Sequence, residues 1–181
     1  LTPYGQAAVD APQRSAEQRA PAVTLGDVRA NRFFWFLVSV HFMGCVGHSI
    51  LLAHVVSMAT LAGVPGLVAA GLLSALSGAS IVSRFGMSMV TERTGARLTL
   101  AVALLLQTTP ILMLLFIRET WSFYLFAVLF GLGYGGEMVG FPIINRQFYG
   151  ERAPLSSIYA WEISGAMTGM ALGGWLGGVL F

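Results

Sequence analysis

The chain has 181 residues, of which 56% are hydrophobic and only 10% charged, with a formal net charge of +2. A soluble domain carries roughly one-quarter charged residues, so this composition excludes a soluble monomer. All the basic residues are scattered arginines with no interleaved aromatic stripe, which argues against nucleic-acid binding.

Residues 1–31 are rich in Ala, Gln, Pro and charge, with too little apolar surface to offset the entropy of ordering, and read as a flexible aqueous linker. The chain begins at Leu1 with no basic stretch before a short apolar core. No signal peptide is therefore expected, and the chain reads as a piece of a longer protein. Between Phe33 and Ser83 no charged residue occurs, a run of 51. A hydrocarbon core of about 30 Å takes about 20 apolar helical residues, so this run holds two crossings joined by a turn.

Five spanning helices are predicted, at about 33–60, 67–90, 98–117, 121–145 and 157–181. Polar breaks separate them: Gly63, Pro65 and Gly66; then Glu92 to Arg97; then Arg118 and Glu119; then Arg146 to Pro154. Ser156 and Ser157 are candidate N-caps for the last helix. With the linker inside, the inner segments hold Arg14, Arg19, Arg29, Arg32, Arg93, Arg97, Arg146 and Arg152, and the outer ones only Arg118. Arginine retention on the inner side then orients the linker toward the cytoplasm, and a multi-pass protein of the plasma (cell inner) membrane is expected. The last helix ends in apolar sequence near the outer face, which predicts at least one further crossing.

Gly165, Gly169, Gly173 and Gly177 recur every fourth residue, a small-residue ridge for close helix packing. The preceding helix carries Gly131, Gly133, Gly135, Gly136 and Gly140, then Pro142. That density fits either close packing or local bending between conformations.

Ionisable residues inside a bilayer are costly and mark cavities or partners. Arg84 and Glu137 lie at a similar depth from the inner end. Two readings stay open: an ion pair holding two helices together, or Arg84 offering its planar fork to a substrate carboxylate while Glu137 serves as the coupling carboxylate that exchanges protons or partners. Of three histidines on the first helix, His41 and His48 share a face and His54 is rotated away. His41 shares the depth of Arg84 and Glu137 and is a candidate for a polar pathway, as is His54. A three-histidine metal site on one helix is geometrically poor, so no metal and no cofactor are expected. Glu162 lies about a turn into the last helix, where the helix dipole favours it and Arg93, Arg97 or Arg146 could reach it, in a structural or gating role. Cys45 is the only cysteine and reads as a small buried hydrophobe. No phosphate loop, nucleotide fingerprint or nucleophile elbow occurs, so an enzyme is not expected.

The stretch Ser83-Arg84-x3-Ser88-x3-Glu92-Arg93-Thr94-Gly95-Ala96-Arg97 resembles the cytoplasmic loop signature of major facilitator superfamily transporters, approximately G-R-x3-G-x3-D-R-x-G-x-R. Serines stand at both early glycine positions and Glu92 replaces the aspartate. The run His54 to Gly63 and the placement of Arg84 resemble the monocarboxylate and oxalate:formate antiporter-like branch. The order Gly-rich helix, Arg146-Gln147-Phe148-Tyr149-Gly150, Gly-rich helix is similar to helices ten and eleven of that group. The resemblance implies an all-α integral membrane helix bundle: a linker (1–31) and helices seven to eleven of twelve (32–181). It also implies alternating access in partnership with a missing amino-terminal half. Arg84 would meet a small carboxylate substrate, and Glu92, Arg93, Gly95 and Arg97 would form a gating loop. A carrier for another solute, such as a drug or sugar, and a non-transporting scaffold or sensor are the alternatives.

Overall fold

The computed structural model describes residues 23–180, and these form six α-helices and no strand. A short α1 (Leu25–Ala30) precedes α2 (Arg32–Leu61), α3 (Gly66–Thr94), α4 (Ala96–Thr108), α5 (Thr120–Tyr149) and α6 (Leu155–Leu180). A 3-10 segment, Thr109–Leu115, extends α4. Five of these units are long and apolar enough to cross a membrane. They alternate in direction along the chain, so Arg32, Arg93, Arg97 and Arg146 gather at one end and Arg118 lies at the other.

The helices run a few residues past the expected spans, and one differs in kind. The third span, expected as a single helix over 98–117, is α-helical only to Thr108. Pro110 lacks the N–H that would continue the ladder and clashes with the preceding turn, so the chain tightens into 3-10 geometry. Thirteen residues at about 1.5 Å and seven at about 2.0 Å still give roughly 34 Å, enough to cross. α6 begins at Leu155, so Ser156 and Ser157 lie in its first turn; the Pro154 carbonyl accepts the first helical bond, from Ile158 N–H at 3.0 Å.

Most of the stretch expected to be a linker, residues 1–22, lies outside the described residues. Its last part is ordered as α1. Thr24 and Asp27 form a capping box, with Thr24 N–H donating to Asp27 Oδ2 at 2.9 Å and Asp27 N–H to Thr24 Oγ1 at 3.3 Å. Val28 is buried with Phe34, Ala153 and Ile158, and Arg29 sits 4.8 Å above the Trp161 ring. That burial comes from α2 and α6, which a local reading of 1–31 does not see.

Glycine decides which helices touch. α6 lies alongside α2 through the expected ridge: a Cβ on Gly169 would meet the Phe42 carbonyl, on Gly173 the Val46 carbonyl, and on Gly177 the His54 ring. Ser49 Oγ adds a hydrogen bond to the Met170 carbonyl at 2.9 Å across this seam. α5 packs on both sides at once. Gly131 and Gly135 face the backbone of Leu76 and Ser80 on α3, while Gly133 and Gly140 face Gln107 and Leu100 on α4. Of the two readings of these glycines, the contacts are those of close packing, and α5 is helical throughout, Pro142 included. Large apolar side chains such as Phe36, Met43, Phe85 and Trp175 point outward, the pattern of a bundle whose surroundings are themselves apolar.

Candidate functional site

α2 carries His41, Cys45 and His48 on one buried stripe, at the four- and three-residue spacing of a single helix face. That stripe meets Tyr134, Glu137 and Phe141 of α5. Polar atoms at this depth must find partners within the protein, because lipid offers none. His48 Nδ1 lies 3.1 Å from Gln107 Nε2, which reaches in from α4, and 3.7 Å from Glu137 Oε2. The His48 ring also stands edge-on to Tyr134, with centroids 5.0 Å apart. Glu137 is fully buried, and neither carboxylate oxygen has a hydrogen-bond partner among the described residues. Gly44 makes room for it, since a Cβ there would sit 3.0 Å from Glu137 Oε1. Three helices thus bring a histidine and a carboxylate together, with an amide against the ring.

His41 sits a little nearer the arginine-rich end, stacked on Phe141 at 4.0 Å and 7° with both ring nitrogens unpartnered among the described residues. It neighbours the His48–Glu137 pair, whereas His54 does not. His54 is half-buried against Gly177 in the α2–α6 seam, in keeping with its rotation from the His41–His48 face.

Arg84 and Glu137 share a level but not a face. Arg84 is exposed on α3, while Glu137 is buried against His48, and among the described residues Arg84 enters no ion pair. The ion-pair reading of the two therefore gives way to a His48–Glu137 pairing. Seen from the helix, Ser83 turns inward, donating to the Leu132 carbonyl, and Arg84, about 100° further round, turns out. Its charge remains within electrostatic reach of the Tyr134 and Tyr159 side chains.

The loop residues Glu92, Arg93 and Arg97 are exposed, and Gly95 takes φ +85°, a left-handed value that turns α3 directly into α4. The turn is tied to α5 by the Gln147 side chain, whose Oε1 accepts from Ala96 N–H at 3.2 Å. Glu162 is fully buried and accepts from Asn145 Nδ2 at 2.8 Å; Arg146, expected as one of its reachable cations, instead pairs with Glu151 in the solvent-exposed turn. There the Arg146 guanidinium holds the Glu151 carboxyl below its usual range.

Gln107, Tyr134 and Asn145 escaped sequence reasoning, and His48 entered it only as a face-mate of His41. The seven-residue spacing was the available signal for His48. A lone Gln or Asn in an apolar run was the signal for the other two. Among the described residues no group of three or more His, Cys, Asp or Glu side chains could hold a metal ion.

An all-α membrane bundle of closely packed, glycine-seamed helices around a buried His–Glu pair is the class this geometry defines. A family model, the Major Facilitator Superfamily, matches residues 2–161. The chain belongs to the major facilitator superfamily. Its members are secondary transporters rather than enzymes; they sit in the lipid bilayer and move small-molecule substrates. A search of curated proteins finds no match.

Proposed function

We propose that the protein is the carboxyl-terminal half, helices seven to eleven, of a secondary carrier for small organic anions of the monocarboxylate type. It would work by alternating access against the other half of the same carrier. In this reading Arg84 receives the substrate carboxylate and the His48–Glu137 pair takes up and releases the coupling proton. His41 extends the polar path toward the arginine-rich end, which faces the cytoplasm of the plasma membrane, and the Glu92–Arg97 turn acts as the gating loop. The observation that carries the reading is Arg84. It stands ten residues, roughly 15 Å, inside the α3 terminus, exposed and with no carboxylate partner among the described residues. A guanidinium at such a depth is costly without an anion, and a carboxylate matches its fork in two parallel hydrogen bonds.

The test uses the complete reading frame. Uptake of labelled small mono- and dicarboxylates is measured for wild type, Arg84→Ala and Glu137→Gln at matched membrane abundance and at two pH values. Saturable uptake that falls at least about tenfold in Arg84→Ala, the loss of one charge-assisted bidentate contact, supports the reading. Glu137→Gln is expected to flatten the pH dependence. Absence of carboxylate uptake, or uptake indifferent to Arg84, would sink it.

A further inference from the structure

A second buried carboxylate, remote from the His48–Glu137 pair, has an unusual set of neighbours. Glu162 of α6 is 0% exposed and Asn145 of α5 is 1% exposed. Asn145 Nδ2 donates to Glu162 Oε2 at 2.8 Å, which uses one atom of each side chain. The other atom of each, Glu162 Oε1 and Asn145 Oδ1, is buried without a hydrogen-bond partner. As an ionised carboxylate and an amide oxygen, both can only accept. Acceptors buried without a hydrogen bond cost several kcal/mol in an apolar medium, and the one unpartnered donor facing them among the described residues is the Tyr149 hydroxyl.

One small addition removes both deficits. A proton on Glu162 Oε1 turns that atom into a donor, and the carboxylic acid can then close an eight-membered ring with the primary amide: N–H to Oε2 on one side, O–H to Oδ1 on the other. It also removes a buried negative charge that has no cation beside it. Among the described residues Arg146 pairs with Glu151 and His48 lies against Glu137, and neither contact includes Glu162.

We propose that Glu162 is a proton-binding site in its own right, holding its proton in an acid–amide pair with Asn145 that latches α5 to α6. The proton comes from bulk water as the pair closes and returns there when it opens, with no other bond made or broken. α5 and α6 otherwise meet sparingly, because α6 lies along α2 and α5 along α3 and α4. A polar tie between them is therefore a joint that can part. It lies eight residues, roughly 12 Å along α5, from Glu137. The groups facing it are few. α5 supplies Tyr149, whose buried hydroxyl has no partner among the described residues, and α6 supplies Tyr159. From α1 Arg29 is engaged over the Trp161 ring, and α2 contributes the apolar Phe34, Leu37 and Val38 with His41 a turn above.

Infrared spectroscopy reads protonation without any knowledge of the substrate, so it stands apart from the anion-carrier reading. Purified full-length carrier in lipid is examined at neutral pH in the carbonyl-stretch region of protonated carboxylic acids, as wild type, Glu162→Gln and Asn145→Leu. The expected result is an acid band that disappears in Glu162→Gln. The band is expected to move to higher frequency in Asn145→Leu, where the amide partner is gone but the acid remains. Raising the pH should bleach the wild-type band. An unchanged spectrum in Glu162→Gln would overturn the proposal, as would a Glu162 band that appears only when sodium is withdrawn. The latter would make the ligand a metal cation. Asn145→Leu retains Glu162 itself, so its band shift tests the pairing even where Glu162→Gln assembles poorly.

Discussion

Replacing Gly169 by alanine adds a single methyl group to the seam where α6 meets α2. The new Cβ would press on the Phe42 carbonyl, 3.2 Å from its carbon, and stand 3.3 Å from Cys45 Cβ. Relaxed carbon contacts lie at about 3.5–4.0 Å and the carbonyl oxygen stands nearer than its carbon, so relief moves α6 outward by at least about 0.3–0.8 Å. A gap of about 0.5–1 Å forfeits a quarter to a half of the dispersion energy of each atom pair it opens. Overpacking of this kind costs about 1–3 kcal/mol. At about 2 kcal/mol the folded-to-unfolded ratio falls roughly 30-fold. Gly173→Ala should behave alike, since its Cβ would also meet backbone, the Val46 carbonyl. Gly165→Ala and Gly177→Ala should cost less, because they meet the side chains of Val38 and His54, which can rotate. The same helix supplies the control: Gly174 and Gly178 have nothing within 4 Å of a built Cβ, and alanine there should stay within about 0.5 kcal/mol of wild type. Unfolding of the purified protein in mixed micelles, followed by far-ultraviolet circular dichroism against denaturing-detergent fraction, ranks the six. Gly169→Ala and Gly173→Ala as harmless as Gly174→Ala would refute the seam as drawn.

Gln107→Leu should destabilise by about 1–3 kcal/mol by leaving buried His48 without its amide partner. The Gln107→Leu/His48→Phe pair should cost less than the sum of its single changes in the same unfolding assay; strict additivity would show that the two side chains do not interact. Acid should loosen the arginine-rich end first. Hydrogen bonds from Thr24 hold the Asp27 carboxyl below its usual range, and Arg146 does the same for Glu151. Both groups therefore bind protons more readily once released. The stabilisation they give is complete above the ordinary carboxylate range, near pH 4, and is lost as pH falls through their lowered values. Hydrogen exchange at α1 and the 150–153 turn is expected to quicken in acid before exchange within the spanning helices does. Thr24→Ala should abolish that acid step at α1, and exchange at α1 that ignores both pH and Thr24 would disprove the capping account.

Membrane class, helix number and the glycine seam of α6 are local properties of this sequence. They follow from run length, charge spacing and a four-residue repeat, because a bilayer imposes its thickness on every segment separately and a helix satisfies its own backbone. The 3-10 continuation after Thr108 was equally local in origin, written in Pro110, whereas the core that its Ile111, Met113 and Leu114 pack against is supplied by other helices. Rotation about the helix axes was not local. Depth along a helix placed Arg84 beside Glu137, but one residue's turn, from Ser83 to Arg84, separates a buried face from an exposed one. Only the packing of α3 against α5 chose between them. For the same reason Gln107 and Asn145 look alike in the sequence, single amides in apolar or mixed runs. Tertiary structure alone assigned the first to His48 and the second to Glu162, because a buried polar atom in a lipid-embedded bundle takes whichever partner the neighbouring helix presents at its own height and angle.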